Sequence, residues 1–159
     1  MLSRRLLRVK VMQVVYAYYQ KGETTIEKAE KELFHSISKS HELYHAMLLL
    51  LVELRNYSEK RIVTGKQKMR PSEEDLNPNT RFIDNQLISQ LANNKTLLRY
   101  VDKTGVSWVN HPDVIKNLFQ EISGSDLYKE YLSLDSAGYE TDKKFVLKMV
   151  EKLVAPYED

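Results

Sequence analysis

Apolar residues recur at three- and four-residue intervals along most of the chain, and no period-two alternation is sustained beyond a few residues. The pattern therefore predicts helices throughout. A first helix is expected from about Ser3 to Gln20, with Ser3 as its N-cap and Lys21-Gly22 as its stop. Thr24-Thr25-Ile26-Glu27 reads as a capping box for a second helix. There Ile26, Ala29, Leu33, Phe34 and Ile37 form an apolar stripe. A third helix is expected to start after Ser38 or Ser40 and to reach toward Met69. Its middle, Leu43 to Leu54, is apolar on nearly every side and so belongs in the centre of a bundle.

The stretch RPSEEDLNPNT, Arg70 to Thr80, reads as a connector because it concentrates proline, asparagine and acid. A fourth helix is expected over about Arg81–Lys103. TGVSWVNHPD is another break, in which Asn110 could cap a helix with Pro112 in its early turn. Shorter helices follow over about Asp113–Ile122, Asp126–Leu132 and Thr141–Val154. Short connections favour antiparallel neighbours. The expected fold is thus an all-α, antiparallel helical bundle: a three-helix unit over residues 1–70, a linker over 71–80, and three or four further helices over 81–159.

Composition narrows the chemistry. The 159 residues contain no cysteine, which removes disulfides, zinc–thiolate sites and thiol nucleophiles, and a cytoplasmic location fits. The longest unbroken apolar run, Ala46 to Val52, is far shorter than the ~20 residues a membrane helix needs, so no membrane association is expected. Net charge is only +2, yet residues 1–21 carry Arg4, Arg5, Arg8, Lys10 and Lys21 and no acid. A basic end on a near-neutral body points to a localised anionic partner.

Two motifs invite other readings. His41-Glu42-Leu43-Tyr44-His45 matches H-E-x-x-H, which sets two metal ligands and a general base on one helix face in zinc metalloproteases. A catalytic zinc needs a third ligand, and Leu48 and Leu51 stand where the metzincin extension would need glycine and histidine. Glu53 and Glu59 fall on the same helix, and no strand is available to hold a peptide. The motif therefore reads as the polar first turn of a buried helix, with Glu42 suited to the helix dipole; a metallohydrolase stays as the remote alternative. His111-Pro112-Asp113 matches the tripeptide of J-domain co-chaperones, but the chain before it is not strongly basic, and it reads as a helix start.

The first helix carries the sharper signal. At about 100° per residue, Arg4, Arg5 and Arg8 share one arc, and Met12, Val15, Tyr16 and Tyr19 continue close to it. Arginines at a helix N-terminus oppose the macrodipole at ~0.3–1 kcal/mol each. A phosphate backbone would offset that cost, and the planar guanidinium also stacks on bases. Arg4, Arg5, Arg8, Lys10 and Gln13 are the candidate RNA-binding residues, whereas Tyr16 reads as packing.

RRLLRVKVMQVVYAYYQ resembles the opening of the bacterial transcription antitermination factor NusB family, an Arg-rich run followed by R-x-x-x-x-Q-x-L-Y. Arg4, Arg5, Arg8, Gln13 and Tyr16 fall at the matching positions, with Val15 in place of leucine. HELYHAMLLLLVEL supplies the family's Leu-Tyr pair, Leu43-Tyr44, then Leu48-Leu49 and Val52. The match covers about residues 1–65. Leu6 replaces an arginine frequent in the family, and the C-terminal F-V-N-G-x-L-D pattern is absent, KFVLKMV sharing only Phe-Val. The remainder looks like a longer variant branch, and the resemblance implies that this chain is the N-terminal part of such a protein.

The resemblance implies a non-catalytic, all-α RNA-binding protein. Members bind the single-stranded boxA segment of ribosomal-RNA leader transcripts together with NusE, a small-subunit ribosomal protein, and load onto RNA polymerase to suppress termination. No enzyme activity, metal or cofactor is expected. The competing reading is a helical protein-interaction scaffold without RNA binding, with Tyr100, Tyr128 and Tyr131 or the linker as its interface.

Overall fold

The computed structural model describes residues 3–22, 25–134 and 138–157. Eight α-helices and no strand occur among them, so the all-α expectation holds. In order they are α1 (Arg4–Lys21), α2 (Ile26–Lys66), α3 (Glu73–Leu76), α4 (Gln86–Ala92), α5 (Lys95–Thr104), α6 (Pro112–Gly124), α7 (Asp126–Ser133) and α8 (Tyr139–Met149). A π-helical turn, Val150–Val154, extends α8. No helix among the described residues is long and apolar enough to cross a membrane.

The expected second and third helices are one. No proline or glycine interrupts Ile26 to Thr64. Ser40, one of the serines read as a stop, is satisfied within the helix: its Oγ donates to the Ser36 carbonyl at 3.0 Å, the back-bonding that lets serine sit inside a helix. Lys39 and Glu42 pair at 2.8 Å across the expected break. Glu42 therefore lies well inside α2 and not in a first turn. The Thr24 capping box falls outside the described residues; Thr25 Oγ1 accepts from the Lys28 amide at 3.4 Å.

The expected helix over 81–103 is divided instead. Asn94 Oδ1 accepts from the amides of Thr96 (2.9 Å) and Leu97 (3.0 Å), capping α5 where a single helix would have continued. Asn85 Oδ1 caps α4 in the same way, through the Ile88 amide at 3.1 Å. At α6 the N-cap is His111, without a side-chain bond, and not Asn110; Pro112 opens the helix as expected.

The chain divides into two compact units, Met1–Met47 and Leu48–Asp159, so the division falls inside α2 and not in the 71–80 connector. Burial gives the reason. Every buried apolar residue described lies at or beyond Leu50, whereas His45 is the single buried residue described in the first unit. The connector also belongs with the second unit. Ser72 and Asp75 form a capping box around α3, Lys68 Nζ donates to Asp75 at 2.9 Å, and Asn79 Nδ2 donates to the Leu132 carbonyl at 3.1 Å.

The second unit's core is aromatic. Phe82 lies 5.6–6.2 Å, ring centre to ring centre, from Phe119, Tyr128 and Phe145. Tyr131 stacks on Phe145 at 3.9 Å. A polar knot sits beside this stack. Tyr131 donates to Asp142 Oδ1 at 2.8 Å, the Gln86 amide donates to Oδ2 at 2.9 Å, and Asn85 Nδ2 donates to the Tyr131 oxygen at 3.0 Å. Asp142, only 3% exposed, thereby joins the start of α8 to the start of α4 and to α7. Tyr128 and Tyr131 are core residues and form no surface, which removes them from the scaffold reading's interface.

Candidate nucleic-acid interface

α1 opens on Ser3, whose Oγ accepts from the Leu6 amide at 3.2 Å. It closes on Gly22 at φ 62°, a left-handed turn that glycine enters without a Cβ penalty. No acid occupies its first turn. Between these caps no described side chain is buried. Leu7, Lys10, Val14, Ala17 and Tyr18 are half-covered and fall on one arc, while the opposite arc is open.

That open arc carries the arginines. Arg4, Arg5 and Arg8 are exposed, and no ion pair among the described residues involves them. Met12, Tyr16 and Tyr19 continue the same face and are 76%, 66% and 78% exposed, with Val15 beside them. At about 100° per residue all seven lie within roughly 120° of helix circumference. From Arg4 to Tyr19 the stripe is about 22 Å long at ~1.5 Å per residue.

The structure therefore separates the candidate residues. Arg4, Arg5 and Arg8 stand together. Lys10 lies roughly 160° from Arg8 and is half-covered, so it adds no charge to their face. Gln13 is exposed but sits about 60° beyond Tyr16. Tyr16 is not packing: its ring is open to solvent, and its hydroxyl accepts from Gln20 Nε2 at 3.1 Å. Tyr19 meets Tyr18 edge-on at 5.6 Å. The sequence had placed Tyr16 and Tyr19 near the arginine arc; what it lacked was the direction in which that arc faces.

Chemically the face combines three planar cations with two exposed phenol rings. Guanidinium forks bind phosphate bidentately, and tyrosine rings accept the faces of unstacked bases. Duplex bases are buried in their own stack, so the aromatic part of the face suits single strands.

The H-E-x-x-H segment is organised differently. His45 is buried, its Nδ1 lies 2.8 Å from the His41 carbonyl oxygen, and its ring is 4.3 Å from that of His41. The Glu42 carboxylate is held by Lys39. Among the described residues no group of three or more His, Asp or Glu is arranged to hold a metal.

Comparison with protein-family models, with curated proteins and with solved structures finds no match to the chain.

Proposed function

We propose that this chain is a non-catalytic RNA-binding protein that grips single-stranded RNA with the open face of α1, and that it serves as a transcription antitermination factor of the NusB type on boxA-like ribosomal-RNA leaders. One observation carries the reading: three exposed arginines, in no ion pair among the described residues, share a helix face with solvent-open Met12, Tyr16 and Tyr19. Charge alone would be met by solvent, and an apolar stripe alone would suggest protein. Together they suit a ligand with an anionic backbone and flat apolar faces. The resemblance of residues 1–65 to NusB proteins supplies the biological setting: NusE as a partner, the RNA polymerase complex as the destination, and the cytoplasm as the location.

Fluorescence anisotropy with a boxA-like single strand tests this. Three phosphate contacts give a slope of log K against log salt of about −2, at ~0.7 per contact on single strands. Arg4→Ala and Arg8→Ala should each flatten it by about 0.7. Tyr16→Ala and Tyr19→Ala should weaken binding about 5- to 160-fold and leave the slope unchanged, because stacking is worth ~1–3 kcal/mol per base. Binding that ignores salt, or that is equally tight for duplex, would sink the proposal. The scaffold reading draws on the same exposed Met12 and tyrosines, and predicts protein partners that stay bound after nuclease treatment.

A further inference from the structure

α7 and α8 meet along a groove that shares no residue with α1. Each helix lines it at steps of three, four and seven residues, which return to one helix face. α7 contributes Leu127, Glu130, Tyr131 and Leu134. α8 contributes Thr141, Lys144, Phe145 and Lys148. The stacked rings of Tyr131 and Phe145, 3.9 Å apart and both buried, form its floor. Leu127 and Leu134 extend the apolar surface, and Leu134 is 45% exposed. The cavity so enclosed measures about 220 Å³.

We infer that this groove binds a small carboxylate with an apolar body, such as an aryl-alkyl carboxylate. The order of charge and carbon carries the inference. Lys144 and Lys148 are exposed and stand one turn apart on α8. Lysine stems cover apolar surface while their ammoniums stay in water, so the cations sit at the mouth and the rings below. No ion pair among the described residues involves Lys144, Lys148 or Glu130. Two ammoniums and one carboxylate leave the mouth with a single net positive charge. That balance suits a monoanion and works against a phosphate dianion. No arginine, whose fork binds phosphate bidentately, is among the described residues that line the groove.

Size sets the ligand and the strength. The cavity is smaller than the ~300–1,000 Å³ of sites for drug-sized molecules, so its ligand has on the order of ten non-hydrogen atoms. A ring laid on Phe145 and Tyr131 fills the apolar part, and a carboxylate two or three bonds away reaches the ammoniums. A ligand of this size, held partly by exposed charges, binds with a Kd of about 0.1–1 mM.

Amide NMR of the isotopically labelled chain, titrated with hydrocinnamate to about 10 mM, tests this. Shifts at Leu127, Leu134, Thr141 and Lys144 should move together and saturate. Lys144→Gln and Lys148→Gln, both at exposed positions, should each weaken binding about 1.5- to 5-fold, the worth of an exposed charge pair. Thr141→Phe should fill the groove and abolish binding. Hydrocinnamyl alcohol, which keeps the body and loses the charge, should bind at least about 3-fold more weakly. Phenylalanine adds an ammonium to the same body. Tighter binding of phenylalanine that Glu130→Gln cancels would identify the ligand as an amino acid, and weaker binding would identify it as a plain carboxylate. Absence of saturating shifts, equal affinity for the alcohol, or unchanged affinity when both lysines are replaced overturns the inference.

Discussion

Removing the Tyr131 hydroxyl should destabilise the second unit through Asp142. Tyr131→Phe keeps the ring stacked 3.9 Å on Phe145 and deletes the 2.8 Å bond to Asp142 Oδ1. The carboxylate retains the Gln86 amide but loses one of its two donors in a site closed to water. A buried hydrogen bond to a charged group is worth ~1.5–3 kcal/mol, so a loss of about 2 kcal/mol is expected. With a urea m-value of ~2 kcal/mol/M for a unit of this size, the midpoint falls by about 1 M at constant m. Asp142→Ala strands the Gln86 amide and leaves the Tyr131 hydroxyl the longer, 3.4 Å bond to the Arg81 carbonyl, and should cost about 3 kcal/mol. The double variant should cost clearly less than the sum, because both changes remove the same bond. The knot also predicts the alkaline limit. Burial, and then the hydrogen bond to Asp142, push the Tyr131 phenol up to about 12. The folded state thus favours the neutral phenol. Its contribution is complete below about pH 10 and is lost as pH rises through about 12. Near-ultraviolet phenolate absorbance should show Tyr131 resisting ionisation until unfolding, alongside Tyr128, whose phenol burial also pushes up. Additive costs under about 0.5 kcal/mol each, with every tyrosine titrating near pH 10, would refute the reasoning.

Other outcomes follow from the connector and from α1. The Ser72 backbone bond, then Lys68, hold the Asp75 carboxyl down at about 2, so its stabilisation is present above about pH 4 and lost as pH falls through about 2. Asp75→Asn should flatten that acid limb in urea titrations run across this range. Gly65→Ala, which would ordinarily stabilise a helix interior by ~0.5–1 kcal/mol, should destabilise here, since an added Cβ would stand 2.7 Å from Asp75 Oδ1. Pairing it with Asp75→Ser should restore the ordinary gain, as measured by urea midpoints. Lys10→Ala should leave the salt slope of RNA binding unchanged where Arg8→Ala flattens it, and an equal effect would place Lys10 on the binding face after all.

The helical class and several boundaries of the second unit could be read from the sequence, because periodicity, Pro112 at the start of α6 and the Gly105 stop of α5 act locally. What failed was the weighing of polar residues inside helices. Ser38 and Ser40 look like a break, yet a serine hydroxyl can bond its own helix, as Ser40 does, and then nothing stops the turn. Asn85 and Asn94 look like ordinary polar positions of a long helix, yet each closes an N-terminus, because tertiary packing of Leu97 and Ile88 fixes where the chain must turn. The choice between bonding the same helix and capping a new one is made by neighbours far along the chain.

The candidate site was readable in charge but not in direction. α1 is apolar almost all round, with Leu6, Val9, Val11, Met12 and Val14 spread over its circumference, so its own sequence does not say which arc turns inward. Counting charge grouped Lys10 with the arginines; the fold half-covers Lys10 and turns Met12, Tyr16 and Tyr19 outward. Two costs then fall on one face. Three arginines oppose the dipole at ~0.3–1 kcal/mol each, and three large side chains forgo the ~1.5–3 kcal/mol that full burial of each would contribute. Placing the arginines on the opposite arc would separate these costs, and a partner could then offset only one of them. With both on a single stripe, one ligand that covers the rings also neutralises the cations, as a stacked single strand would.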